Sequence, residues 1–199
     1  MKMLLVPLVL GFVFGQYAEA NSQLIGELPS IPTTLPIDSR CSLTVGGGVV
    51  DYGTLSRWQL QDAQIGQNNV TFGKRTLTLN VACPYTQSMR LMLRGERSAR
   101  EDFRYGNRGS MIVRLFDAQI DGRSVLIARA TSDGVINGDA GDSALLRPGE
   151  SFAAISSGQL AQGKTFTARL EIEPTLPKSD AQVSTYEVNE ANLTIELMN

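Results

Sequence analysis

Thr76-Leu77-Thr78-Leu79-Asn80-Val81-Ala82-Cys83 alternates polar and apolar side chains with a period of two. Successive side chains of a strand point to opposite faces, so this spacing directs Leu77, Leu79 and Val81 into a core and the threonines and Asn80 outward. Met89-Arg90-Leu91-Met92-Leu93-Arg94, ended by Gly95, and Met111-Ile112-Val113-Arg114-Leu115-Phe116 read as further strands. Asp121-Gly122 separates the latter from Ser124-Val125-Leu126-Ile127-Ala128, which is hairpin chemistry, because glycine accepts the positive φ that the turn demands. Thr165 to Glu173 alternates until Pro174, where it is expected to end, and Asn192-Leu193-Thr194-Ile195-Glu196-Leu197 alternates to within two residues of Asn199. A strand so placed pairs inside a sheet or forms its edge. Gln59 to Ile65 and Asp142 to Leu146 have room for a helical turn or two, while Gly, Ser and Asn punctuate the rest. About seven short strands with turn signals between them predict an all-β chain, an immunoglobulin-like β-sandwich in preference to a barrel.

Residues 1–20 carry an export pattern: Lys2, an apolar run from Met3 to Phe14, and the small-residue cleavage pattern Ala18-Glu19-Ala20. The run is too short to serve as a membrane anchor, which needs about 20 apolar residues. Cleavage after Ala20 would leave 179 of the 199 residues, the size of one domain, and removes one basic and one acidic residue, so the formal charge stays at −2. That balance gives no electrostatic case for nucleic acid or anionic lipid.

In an oxidising compartment the two cysteines, 42 positions apart, have one intrachain pairing, Cys41 with Cys83. They cannot complete a tetrahedral zinc site by themselves, and the chain has no histidine to join them. No catalytic constellation stands out either: Ser-His-Asp chemistry lacks its histidine and no Gly-x-Ser-x-Gly elbow is present, so no enzyme activity and no cofactor are expected.

The segment 21–40 mixes Leu24, Ile25, Leu28, Ile31, Leu35 and Ile37 with Pro29, Pro32 and Pro36, which cannot donate to a ladder. Gln23 to Leu28 is the piece that can pair, with Leu24, Gly26 and Leu28 on one face. An apolar extended arm is an aggregation hazard unless something receives it. Two readings stand: the arm lies on its own domain or stays disordered, or it is a strand meant for another chain.

Cys41 opening the first domain strand, Cys83 closing Leu-Asn-Val-Ala-Cys-Pro, a glycine within the apolar arm, an alternating terminal strand, and Gly46-Gly47-Gly48-Val49-Val50-Asp51-Tyr52-Gly53 after the first cysteine together resemble the chaperone-usher fimbrial subunits (pilins), and among them fimbria-like proteins of enteric bacteria. The resemblance implies a sandwich lacking one strand, residues 41–199, preceded by a donor-strand arm, residues 21–40. It implies donor-strand complementation, a form of β-augmentation in which main-chain bonds supply affinity and alternating side chains specificity. Leu24, Gly26 and Leu28 would be the donor positions, and Leu193, Ile195 and Leu197 would border the acceptor groove and pair with a periplasmic pilus chaperone. The implied partners are that chaperone, an outer-membrane usher, neighbouring subunits and a host-surface receptor; the implied route runs through the periplasm to a cell-surface fimbrium. The family's penultimate aromatic residue is replaced here by Met198.

Other motifs read more plainly. Gly46-Gly47-Gly48 lacks the Lys-Ser/Thr of a P-loop and reads as a bulge or a close backbone approach. Asn137-Gly138-Asp139-Ala140-Gly141-Asp142 lacks EF-hand spacing and its closing glutamate, and reads as a loop. Asn69-Val70-Thr71 and Asn192-Leu193-Thr194 match the glycosylation sequon, which means little in a bacterial host. Arg94, Arg97, Arg100, Arg104 and Arg108, interleaved with Glu96, Glu101 and Asp102, read as a solvated loop, with contact to sugar or an acidic surface as the alternative. The leading function class is a structural fimbrial subunit. The others are a tip adhesin, whose usual second domain this chain has no room for, and a periplasmic carbohydrate- or protein-binding module.

Overall fold

The computed structural model describes residues 40–64, 68–131, 133, 135–182 and 186–198. The chain divides into two units, Met1–Ile37 and Asp38–Asn199, and every described residue belongs to the second. The export segment and the donor positions Leu24, Gly26 and Leu28 lie outside the described residues.

The strands are β1 (Ser42–Val45), β2 (Gln61–Asp62), β3 (Asn69–Thr71), β4 (Arg75–Ser88), β5 (Arg90–Gly95), β6 (Phe103–Tyr105), β7 (Gly109–Ile120), β8 (Arg123–Ser124), β9 (Leu126–Ala130), β10 (Ser143–Leu146), β11 (Ser151–Ser156), β12 (Gln159–Leu160), β13 (Gln162–Pro177) and β14 (Leu193–Leu197). All their pairings are antiparallel. In the larger sheet β13 is central: β4 and then β3 pair along one side, and β7 along the other. β1 extends the sheet beyond β4, and β6, β8 and β10 add to the far side of β7. The smaller sheet runs β9, β11, β5, β14, with β12 folding back on β11.

The two sheets share one core. Leu79, Val81, Val113, Leu115, Phe166 and Leu170 from the larger sheet and Leu91, Leu93, Ile127 and Phe152 from the smaller belong to a single buried cluster. Each such side chain contributes about 1.5–3 kcal/mol by leaving water. The chain is therefore an all-β sandwich of antiparallel sheets, as the alternation predicts.

Boundaries depart from the sequence reading for identifiable reasons. The strand expected to end at Pro174 continues to Pro177. The Pro174 carbonyl accepts from Phe72 N–H (3.2 Å), so its missing N–H faces the same side, in the gap where the neighbouring strand changes from β4 to β3. Pairing with β7 on the opposite side continues without interruption across Pro174 and Met111.

The third expected strand runs past Phe116 to Ile120 because Asp117, at φ 52°, makes a bulge. Buried positions then switch phase from Met111, Val113 and Leu115 to Ala118 and Ile120. Asp121 and Gly122 form the hairpin turn with positive φ at both positions, 48° and 76°. Its return strand is short, however. Only Arg123–Ser124 pairs back with β7, and after Val125 the chain crosses to the smaller sheet as β9.

The helical turns allowed near Gln59 and Asp142 resolve into a 3-10 turn over Arg57–Gln59 and the strand β10. Residues 137–142 do not loop away: Asn137 N–H donates to Arg129 O, and Gly141 exchanges both backbone bonds with Ile127.

Candidate functional site

The cysteines are joined as expected. Cys41 and Cys83 form a disulfide with Cα atoms 4.2 Å apart, pinning the start of β1 to β4, and the Gln87 side-chain amide points at both sulfurs. β1 follows at once, with Leu43 and Val45 turned inward and Ser42 and Thr44 outward. It pairs with β4 from Ser42 opposite Ala82 to Val45 opposite Leu79. Among the described residues it has no other neighbour.

β14 is its counterpart in the second sheet. Leu193, Ile195 and Leu197 lie opposite Gly95, Leu93 and Leu91, so all three share the face of the core. Each is half-buried and packs against the core cluster. Beyond Leu197, Met198 N–H still donates to Arg90 O. The other side of β14 carries no partner strand among the described residues.

Among the described residues two edges therefore stand open at one seam of the sandwich, β1 in one sheet and β14 in the other. A cleft of about 880 Å³ lies between them, lined by Leu43 and Val45 on one wall, Leu193 and Ile195 on the other, and Leu77 and Leu170 beneath. Leu77, Leu43 and Val45 are partly exposed although they sit on strand faces turned to the core. β1 and β14 run in opposite senses. Along these walls the lining runs from Leu43 and Ile195 at one end to where β1 gives out and β14 begins at the other; the disulfide and Leu197 are not part of it.

That second end has an aromatic floor: the Tyr52 and Phe72 rings meet edge to face with centroids 6.0 Å apart, and Phe72 and Tyr105 at 5.4 Å. Gly106 N–H donates to Glu190 O at 2.9 Å and so ties this floor to the approach to β14. Burial pushes the Tyr52 phenol up to about 12, partly opposed by Arg75, whose guanidinium stands 5.4 Å from the ring centre. Burial likewise raises Tyr105, helped by the charge of Asp51. The glycine run places Gly47 at φ 74°, a left-handed conformation that turns the chain out of β1. A Cβ at Gly46 would meet only ordinary contacts, so a close backbone approach is not what that position requires.

Of the three β14 residues expected to border a groove, Leu193 and Ile195 line this cleft and Leu197 does not; the β1 wall and the aromatic floor carry no comparable signal in the sequence. Ser42-Leu43-Thr44-Val45 does alternate, but four residues are too few to stand out. Tyr52, Phe72 and Tyr105 meet through the topology alone. The arginine cluster is a set of local ion pairs: Arg94 with Glu196 (2.7 Å), Arg97 with Glu101, Arg104 with Glu96 (3.2 Å) and Arg108 with Asp180 (3.2 Å), while Arg100 donates to Asn69. Among the described residues no group of three or more His, Cys, Asp or Glu is placed to hold a metal ion.

No protein-family model matches the chain, and no curated protein matches it. Among solved structures, it is similar to the P pilus rod subunit PapA at 15% identity, covering 79% of this chain and 96% of that one, with a TM-score of 0.32.

Proposed function

We propose that the chain is a structural subunit of a chaperone-usher fimbrium that polymerises by donor-strand exchange and contributes to adhesion. The observation that carries this reading is the cleft between β1 and β14, where the described residues leave the core uncovered along one seam. Exposed core side chains and a free strand edge are costly unless a strand covers both at once. An incoming strand would satisfy the β14 backbone and fill the cleft with alternate side chains, each leucine-sized group adding about 1.5–3 kcal/mol.

The sequence supplies such a strand. Residues 21–40 form the proposed arm, with Leu24 and Leu28 as the inward side chains and Gly26 between them where the backbones approach most closely. Residues 1–20 act as the export signal and residues 41–199 as the receiving domain. On this reading a periplasmic chaperone covers β14 first, the usher passes the subunit outward, and the arm of a neighbouring subunit then takes the chaperone's place. Leu193, Ile195 and Leu197 pair with each occupant in turn.

The chain refolded alone is expected to aggregate, and a synthetic peptide of Asn21 to Pro29, added in excess, to recover soluble folded protein. A peptide carrying Leu24→Asp and Leu28→Asp is expected to recover none. Size-exclusion chromatography with circular dichroism reads both outcomes. A stable monodisperse monomer, indifferent to either peptide, would remove the subunit reading.

A further inference from the structure

The cleft is strongly polarised in charge, and this bears on which strand it accepts. Asp51, Asp180, Glu187 and Glu190 all line it, and Arg57 is the one basic residue among the described lining. These carboxylates gather at the end where β1 gives out and β14 begins, around the Tyr52, Phe72 and Tyr105 floor. Asp180 is matched by Arg108 at 3.2 Å. Asp51 accepts only the backbone N–H of Gly53, at 2.7 Å, and no ion pair reaches the side chains of Glu187 and Glu190 among the described residues. The Arg57 guanidinium stacks 5.6 Å from the Trp58 ring centre. Among the described residues this end therefore presents three carboxylates outside any ion pair to an incoming strand, the Arg75 guanidinium being held over the Tyr52 ring.

Orientation decides which part of that strand meets them. All pairing among the described strands is antiparallel, the form with the better ladder geometry. A strand antiparallel to β14 enters beside Leu197 and finishes beside Leu193, so its C-terminal portion reaches the carboxylates. Tyr186, Val188 and Val49 are exposed at this end and line the cleft there, offering apolar surface to the stem of a long side chain. The arm of this chain is poorly suited to the position. It brings Glu27 next to its last inward residue, Leu28, and carries no lysine or arginine before Arg40.

Resting on the strand-acceptor reading above, we propose that the cleft is built for the arm of a different chain. That arm carries lysine or arginine at or just after its last inward apolar residue, and a second copy of this chain is the weaker occupant. The subunit would then stand at a junction between unlike subunits rather than repeat along a homopolymer. Like charges at the site disfavour self-insertion while opposite charges favour the heterologous arm, so attraction and repulsion both set the specificity.

Competition between two peptides tests this. The full chain is diluted from denaturant into an equimolar mixture of differently labelled Asn21 to Pro29 peptides, one native and one with Glu27→Lys, and the bound ratio is read on the recovered monomer. At low salt the lysine peptide is expected to be retained about fivefold over the native one, the effect of one or two partly exposed charge pairs. The ratio is expected to fall toward unity in about 1 M salt, where screening shortens to ~3 Å. In a Glu187→Lys, Glu190→Lys variant, both sites being exposed, the preference should reverse. Equal retention at low salt, or an excess of the native peptide, overturns the charge-selection proposal while leaving the strand-acceptor reading in place. A chain that folds without binding either peptide overturns both.

Discussion

At the scale of single residues, Tyr52 shows how burial sets chemistry at the cleft. Its hydroxyl is buried without a hydrogen-bond partner among the described residues, and desolvation raises its pKa from 10.0 to about 12. The folded state therefore favours the neutral phenol. Its titration leaves stability untouched below pH 10 and lowers it as pH rises from 10 toward 12, because the unfolded chain releases its proton first. Tyr52→Phe is expected to leave stability at neutral pH unchanged, or to raise it by up to about 1 kcal/mol, since an unsatisfied buried hydroxyl is removed. Between pH 10 and 12 the variant should lose less stability than the parent, a difference read from urea melts at matched pH. Asp121 has the opposite sign. Hydrogen bonds from Thr165 N–H (2.9 Å), Thr165 Oγ1 (3.0 Å) and Lys164 N–H (3.1 Å) hold its carboxyl below the usual range, so its stabilising effect fades as the solution is made acid. The Asp-Gly pair announced the turn in the sequence; the grip of its carboxylate on β13 depends on a strand more than forty residues away.

At the scale of elements, the pairing of β14 with β5 fixes the wall of the cleft, and Gly95 controls it. A Cβ added there would lie 2.7 Å from Leu193 Cδ2 and 2.8 Å from Cδ1 of the fully buried Phe103. Phe103 cannot yield without disturbing the core, so the strain falls on Leu193 and the start of β14. Gly95→Ala is expected to destabilise the domain by about 1–3 kcal/mol, the range for overpacking. Hydrogen exchange should then rise selectively at the β14 amides that pair with β5. Uniform exchange across both sheets would show that Gly95 does not govern this edge. Alternation identified β14, because a half-buried strand writes its burial into period two, and an apolar run marked its partner β5. It misjudged β7 and β13 at Asp117 and Pro174, where a bulge and a change of neighbouring strand override local preference.

At the scale of the whole molecule, the disulfide holds the other wall. β1 is a four-residue strand whose one neighbour among the described residues is β4, and Cys41 ties its start to that neighbour. Closing a loop with a sequence separation of 42 contributes about 4 kcal/mol in the chain-entropy account. Cys41→Ser is expected to lose most of that and to release β1 from the cleft, lowering both the melting temperature and peptide capture; a melting curve unchanged by reductant would contradict it. The sequence by itself determined the strand character of the chain, the single cysteine pairing, the hairpin turn and the inward face of β14, since each follows from local periodicity, residue count or φ preference. Only the tertiary structure decided that β1 and β14 flank one seam with no further partner strand among the described residues, that Tyr52, Phe72 and Tyr105 close one end of it, and that carboxylates collect there. These depend on which distant strands become neighbours, and pairing across the molecule leaves no periodic mark along the chain.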